Sequence, residues 1–237
     1  MLKTLLLDLD GTLLDVDMEV FLPAYLKALT PRVEGVLPPH KFIRDLMAST
    51  EVMVRNEDPS RTNEEVFWTD FSARTGLDPD EWRPVFEDFY RTDFHALRRL
   101  TAPRPTARRL VEEALDRGVE VVVATNPIFP RSAIDARLAW GNLEGLPWRL
   151  VTSYEVMHFS KPNPRYFVEV LERVGRSAEE CVMVGNDAVE DLAACQAGLR
   201  TFLTRERRIG EPAASCPPTW EGTLEDALAL IEKLSGE

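Results

Sequence analysis

Hydrophobic and polar positions alternate along this chain in blocks rather than residue by residue. Leu5-Leu6-Leu7 is an uninterrupted apolar run, broken by Asp8 and Asp10 on either side of Leu9 and followed by Gly11-Thr12. Such a run suits a strand buried on both faces of a parallel sheet. Burying an unpartnered carboxylate is costly, so Asp8 is expected at the strand's C-terminal end. Two later runs have the same character: Val119 to Ala124, ended by Thr125-Asn126-Pro127, and Cys181 to Gly185, ended by Asn186-Asp187. Residues 149–152 and 201–203 read as shorter strands. Between them, apolar residues at i, i+3 and i+4 predict helices over 106–117, 131–139, 188–197 and 223–234, and one from Lys161-Pro162 to Gly175. Strands alternating with helices of this length imply an α/β fold, a Rossmann-like doubly wound parallel sheet with right-handed crossovers.

The stretch from residue 15 to 99 has a different rhythm. Val20, Phe21, Ala24, Tyr25 and Ala28 form a helical stripe, with Asp15 or Asp17 as its cap, and Phe42, Leu46 and Met47 suggest a further helix. Residues 55–63 are polar and read as a loop, after which Val66, Phe67 and Phe71 resume the helical spacing. Asp78-Pro79 opens a helix striped by Trp82, Val85, Phe86, Phe89 and Tyr90. No strand is expected in this stretch, and its aromatics read as packing core rather than ligand contacts. The expected organisation is therefore a discontinuous α/β core, residues 1–14 and 100–237, interrupted by an all-helical cap over 15–99, with hinges near 14–17 and 99–104.

Composition narrows the function classes. Nothing approaches the ~20 apolar residues needed to span a bilayer. The N-terminus has no basic region ahead of a long apolar segment, which argues against a signal peptide. Cys181, Cys195 and Cys216 are odd in number and scattered, favouring reduced thiols in a cytoplasm over a disulfide framework. A net charge of −12 argues against nucleic acid or an anionic membrane as the main partner. It leaves a small phosphorylated substrate open, because local cations override a global field. Oligomeric state is not legible.

The chemistry concentrates at the strand ends, where open α/β sheets bind ligands. Asp8 and Asp10, two residues apart, share a face and can address one small volume. Two carboxylates that close call for a cation, of which Mg²⁺ with its oxygen ligands fits best. Asp8-Leu9-Asp10-Gly11-Thr12 resembles the first motif of the haloacid dehalogenase-like hydrolase superfamily. That resemblance implies a nucleophile at Asp8, an acid/base group at Asp10 and bound Mg²⁺. Thr125, closing a hydrophobic strand, resembles the second motif and implies phosphate binding with Asn126. Lys161 resembles the third, a lysine that neutralises the substrate phosphate and the nucleophile. Gly185-Asn186-Asp187-Ala188-Val189-Glu190-Asp191 resembles the fourth, with a departure: Asn186 stands where many relatives carry Asp. The third metal ligand is then Asp187 by chemistry or Asn186 by ungapped position, with Asp191 orienting Lys161 or a water on the metal.

The resemblance covers the core and implies a Mg²⁺-dependent phosphatase that hydrolyses a small phosphorylated metabolite through an aspartyl phosphate, with the cap as a lid. Four alternatives stand beside it. A dehalogenase of the same superfamily needs neither metal nor Asp10; a phosphomutase returns phosphate to its substrate; a phosphonatase uses a cap lysine, for which only Lys27 and Lys41 are available. A non-catalytic phosphoryl-binding module is the fourth. Substrate contacts remain open among Arg55, Asn56, Arg61, Trp68, Phe129 and Arg131.

Overall fold

The computed structural model describes residues 1–236. Six parallel strands form the sheet: β1 (Thr4–Leu7), β4 (Glu120–Val123), β5 (Leu150–Val151), β6 (Cys181–Gly185), β7 (Arg200–Thr204) and β8 (Trp220–Gly222). Their spatial order is β5-β4-β1-β6-β7-β8, so β1, which leads into Asp8, lies in the interior between β4 and β6. Leu5 pairs with Val121 on one side and Val182 on the other.

Strand pleating sorts the apolar runs onto two faces. Leu5, Leu7, Val121, Val123, Val182 and Val184 pack with α5 (Pro105–Asp116), α6 (Arg131–Trp140) and α8 (Leu224–Ser235). Leu6, Val122 and Met183 pack instead with Tyr166, Phe167 and Val170 of α7 (Pro164–Val174). This is the doubly wound arrangement that the unbroken hydrophobic runs require, since neither sheet face meets water.

Between β2 (Leu14–Val16) and β3 (Thr101–Pro103) lie four helices: α1 (Met18–Leu29), α2 (Pro39–Val54), α3 (Asn63–Thr75) and α4 (Pro79–Arg91), followed by 3₁₀ turns over Asp93–Leu100. Their aromatics form a core, as the stripes imply: Phe21, Phe42, Phe71, Phe89 and Phe94 have no exposed surface. Phe94 stacks on Trp140 of α6 with ring centroids 5.0 Å apart, so this core is continuous with that of the sheet. Local signals hold where backbone chemistry sets them. Asp17, not Asp15, caps α1; Asp78 caps α4; and Gly76 ends α3 at φ +77°, a conformation that favours glycine.

The structure corrects the sequence reading in several places. Leu14–Val16 and Thr101–Pro103, read as helix start and linker, pair antiparallel as a two-stranded ribbon at the root of the helical insert. Asp15 belongs to that ribbon and binds Arg104 at 3.0 Å and Arg207 at 2.8 Å. The helix expected over 188–197 is a turn followed by a 3₁₀ segment, Leu192–Ala197. Its chain is held by Asp191 N–H donating to Asp187 O, at 3.0 Å. β8 falls in a stretch that carries no apolar run. Cys195 and Cys216, expected as reduced thiols, form a disulfide with Cα atoms 5.9 Å apart, and only Cys181 is free among the described residues. Scattered spacing does not report pairing, because the fold brings residues 21 apart in sequence together. No helix among the described residues is long and apolar enough to cross a membrane.

Candidate active site

The site stands at the C-terminal edge of the sheet, where β1, β4 and β6 end side by side. Asp8 follows β1 and continues its ladder, its N–H donating to Val184 O at 3.0 Å. Asp10 follows two residues further, beside the turn made by Gly11 at φ +88°. Thr125 and Asn126 come from the end of β4, and Asn186 to Asp191 from the end of β6. Asp8, Asp10, Thr125, Asn126, Asp187 and Glu190 all line one cavity of about 230 Å³.

Lys161 reaches Asp8 from below this cavity. It does not open α7: Asn163 is the cap of that helix, and Lys161 lies two residues ahead of it in the preceding loop. Its ammonium has no exposed surface and sits 3.0 Å from Asp8 Oδ1 and 2.6 Å from Asp191 Oδ1. Burial works against that charge, but Asp191 and Asp8 outweigh it and hold the lysine well above its usual range. Burial pushes Asp8 upward; Lys161 opposes the shift and nearby Asp10 adds to it. Two carboxylates and one ammonium in a dry pocket leave an excess negative charge that a further cation or a proton must balance.

Asp191 performs two tasks. Besides Lys161 it accepts, through Oδ2, the N–H of Asp187 at 2.9 Å, which folds the β6 loop back on itself. Any side chain at Gly185 would collide with this carboxylate. Thr125 is fixed through its carbonyl, which accepts from Thr152 Oγ1 at 2.8 Å and Tyr166 OH at 2.9 Å. Its own hydroxyl and the Asn126 N–H make no hydrogen bond among the described residues, so both remain available as donors.

The fourth-motif ambiguity resolves into two unlike environments. Asn186 is 2% exposed and its amide is committed: Oδ1 accepts from Thr12 Oγ1 at 2.9 Å, and Nδ2 donates to Arg207 O at 2.7 Å. It also packs against Gly11, where a Cβ would come within 2.5 Å of Nδ2. Asp187 uses Oδ1 to accept the N–H groups of Val189 and Glu190, at 2.7 and 2.9 Å, while Oδ2 makes no hydrogen bond among the described residues.

Several participants have no sequence signal that singles them out. Arg137, on the apolar face of α6, is 1% exposed and forms an ion pair with Asp10 Oδ2. Its guanidinium lies 4.5 Å over the Phe129 ring. Asp10 Oδ1 is buried with no hydrogen-bond partner among the described residues. Burial raises the Asp10 carboxyl above its usual range, opposed by Arg137 and Lys161. Glu190 accepts from Asn126 Nδ2 at 3.0 Å, and burial pushes it up to about 7. The only available hint was negative: an arginine in the middle of a buried helix stripe.

The donor set around the cavity is oxygen-only and suits a hard divalent cation. The unpartnered Asp10 Oδ1 and the free Asp187 Oδ2 are consistent with one, although no three acidic, histidine or cysteine side chains among the described residues converge to metal-ligand spacing. Of the open substrate contacts, four are in structural use, Arg131 among them through its ion pair with Asp135 at 2.7 Å. Arg55 pairs with Glu51 at 2.6 Å, Asn56 donates to His158 O at 2.9 Å, and Arg61 donates to Glu65 O at 2.9 Å.

A family model for haloacid dehalogenase-like hydrolases matches residues 2–198. The chain belongs to this family. As a haloacid dehalogenase-like hydrolase it is an enzyme. It is 28% identical to a phosphoglycolate phosphatase of Vibrio parahaemolyticus, over 97% of this chain and 96% of that protein. The solved structure of a phosphatase of the same superfamily from Thermococcus onnurineus superposes with a TM-score of 0.62 at 20% identity, covering 100% and 99% of the two chains. The L-2-haloacid dehalogenase of Xanthobacter autotrophicus gives 0.59 at 16% identity, covering 98% and 99%. At these identities both likenesses are of fold.

Proposed function

We propose that this hydrolase is a Mg²⁺-dependent phosphatase acting on a small phosphate monoester, with Asp8 as nucleophile. One observation carries the reading: a buried lysine clamps Asp8 from behind while a cavity lined by Asp10, Thr125 and Asn126 opens in front of it. The similarity to a phosphoglycolate phosphatase over nearly the whole chain supports it.

In this mechanism one Asp8 oxygen attacks phosphorus and the P–O bond to the leaving group breaks, giving an aspartyl phosphate. Asp10 delivers its proton to the departing alkoxide, then takes one from the water that attacks the phosphorus in the next step. That attack breaks the bond to Asp8 and releases inorganic phosphate. The raised pKa of Asp10 suits a group that must first be an acid. Lys161, the Thr125 hydroxyl and the Asn126 N–H stabilise charge on the transferring phosphoryl. Asp8, Asp10 and Asp187 would hold Mg²⁺, which would supply further positive charge to the transferring group.

Residues 1–14 and 100–237 act as the catalytic core and 15–99 as the cap, joined through the β2–β3 ribbon. Closure there excludes water and brings the cap's contacts to the leaving group. The substrate is a small phosphorylated metabolite and no nucleic acid or membrane surface is required. The test is Asp8→Asn: hydrolysis of p-nitrophenyl phosphate should fall to background with the circular dichroism spectrum and melting temperature retained, and EDTA should abolish wild-type turnover until Mg²⁺ is restored. Turnover by a folded Asp8→Asn protein overturns the mechanism.

A further inference from the structure

We infer that the leaving group is uncharged, apolar and about the size of one ring, and that it is seated in a cavity between the helical insert and the core. This rests on the phosphatase reading above and extends it to substrate class. The cavity has a volume of about 140 Å³. An apolar cavity of roughly 150 Å³ is large enough to hold benzene. Met18, Ile128 and Phe129 line both this cavity and the one in front of Asp8, so the two adjoin across those side chains. A monoester with its phosphoryl group at Asp8 therefore points its leaving group toward this space.

The walls decide the chemistry. Tyr25, Phe67, Trp68, Phe86, Tyr90 and Phe129 supply aromatic surface from the insert and the core. The Tyr25, Tyr90 and Thr50 hydroxyls on the lining are satisfied by one another or by backbone, and the buried donors Trp68 Nε1 and Arg83 Nε have no hydrogen-bond partner among the described residues. Tyr25 OH lies 2.8 Å from Tyr90 OH, and Thr50 Oγ1 donates to Leu46 O at 2.9 Å. The one cation on the lining, Arg83, sits 3.6 Å from Glu64, and Glu87 stands on the same wall. A carboxylate-bearing leaving group such as glycolate would meet no uncompensated positive charge and would lose its hydration. An apolar ring loses nothing polar and gains the aromatic contact.

The experiment compares kcat/KM, in Mg²⁺, for benzyl phosphate, ethyl phosphate and 2-phosphoglycolate; the first two have alcohols of similar acidity, so leaving-group chemistry does not separate them. Benzyl phosphate should exceed ethyl phosphate about a hundredfold, the size expected from burying one ring, and should exceed 2-phosphoglycolate. Leu22→Trp, which fills the cavity from α1, should bring the benzyl-to-ethyl ratio down toward one. Should that variant not fold, the wild-type enzyme decides: benzyl alcohol should inhibit ethyl phosphate hydrolysis competitively at far lower concentration than propanol. Equal rates for benzyl and ethyl phosphate, a preference for 2-phosphoglycolate, or an unchanged ratio in folded Leu22→Trp overturns the inference while leaving the phosphatase reading intact. Absence of phosphate release from all three esters overturns that reading and this inference with it.

Discussion

Lys161 Nζ lies 3.0 Å from Asp8 Oδ1, joining residues 153 apart in the chain, and the same ammonium holds Asp191 at 2.6 Å. Its removal would leave two buried carboxylates facing each other. Lys161→Met should cost about 3–5 kcal/mol of stability, the penalty for stranding one partner of a buried ion pair. It should also lower kcat at least about a hundredfold, as loss of a charge aimed at the transferring group does. Urea denaturation at neutral pH and steady-state kinetics on the same preparation check both effects.

Arg137 and Asp10 make a second buried pair, across 127 residues of sequence. Arg137→Met strands Asp10, and Asp10→Asn strands Arg137, so each single substitution is destabilising. The double variant should be more stable than the sum of the two losses predicts, by roughly 1–3 kcal/mol, because the second change relieves the charge exposed by the first. A double-mutant cycle by chemical denaturation measures this coupling. A coupling near zero would mean that the pair is not formed in solution.

Asn186 and Asp187 make opposite predictions. Asp187 has an oxygen to spare, whereas the Asn186 amide is spent on Thr12 and Arg207. Asp187→Asn should weaken Mg²⁺ activation at least about tenfold with modest effect on stability. Asn186→Ala should instead lower the melting temperature, since it unpairs the buried Thr12 hydroxyl. Titration of activity with Mg²⁺, alongside thermal melts, separates the two outcomes; the reverse pattern would identify Asn186 as the ligand.

Glu190 supplies a pH dependence. Its pKa is raised in the folded state from 4.5 to about 7, chiefly by burial. Between those values the unfolded chain carries the charge while the folded one holds the proton, so this group's stabilising contribution is fully present below 4.5 and is lost as pH rises through 7. Glu190→Gln keeps the acceptor for Asn126 and removes the titration. In EDTA, the variant should match wild type near pH 4.5 and exceed it in stability above pH 7, by at least about 1 kcal/mol. Denaturation curves at the two pH values check the sign.

The sequence by itself determined the parts whose physics is local. Three unbroken apolar runs can only be strands covered on both faces, and each ends in the polar residues that the structure gathers at one sheet edge. Asp17, Asp78 and Gly76 cap their helices because capping involves only a turn of chain. The aromatic stripes of the insert became its core by the same periodicity. Tertiary structure alone decided what depends on contacts between distant segments. Nothing near Arg137 in the chain announces Asp10, and Cys195 does not announce Cys216. Trp220–Gly222 becomes a strand because β7 offers it an edge, with too few apolar residues to signal one beforehand. Asn186 and Asp187 are neighbours in sequence, one favoured by position and the other by charge, and the packing of Gly11 and Thr12 against the first of them is what commits its amide. The apolar cavity adjoining the one in front of Asp8 has the same origin: aromatics at helical spacing state that a face is buried, and the space left between two such faces exists only once they meet.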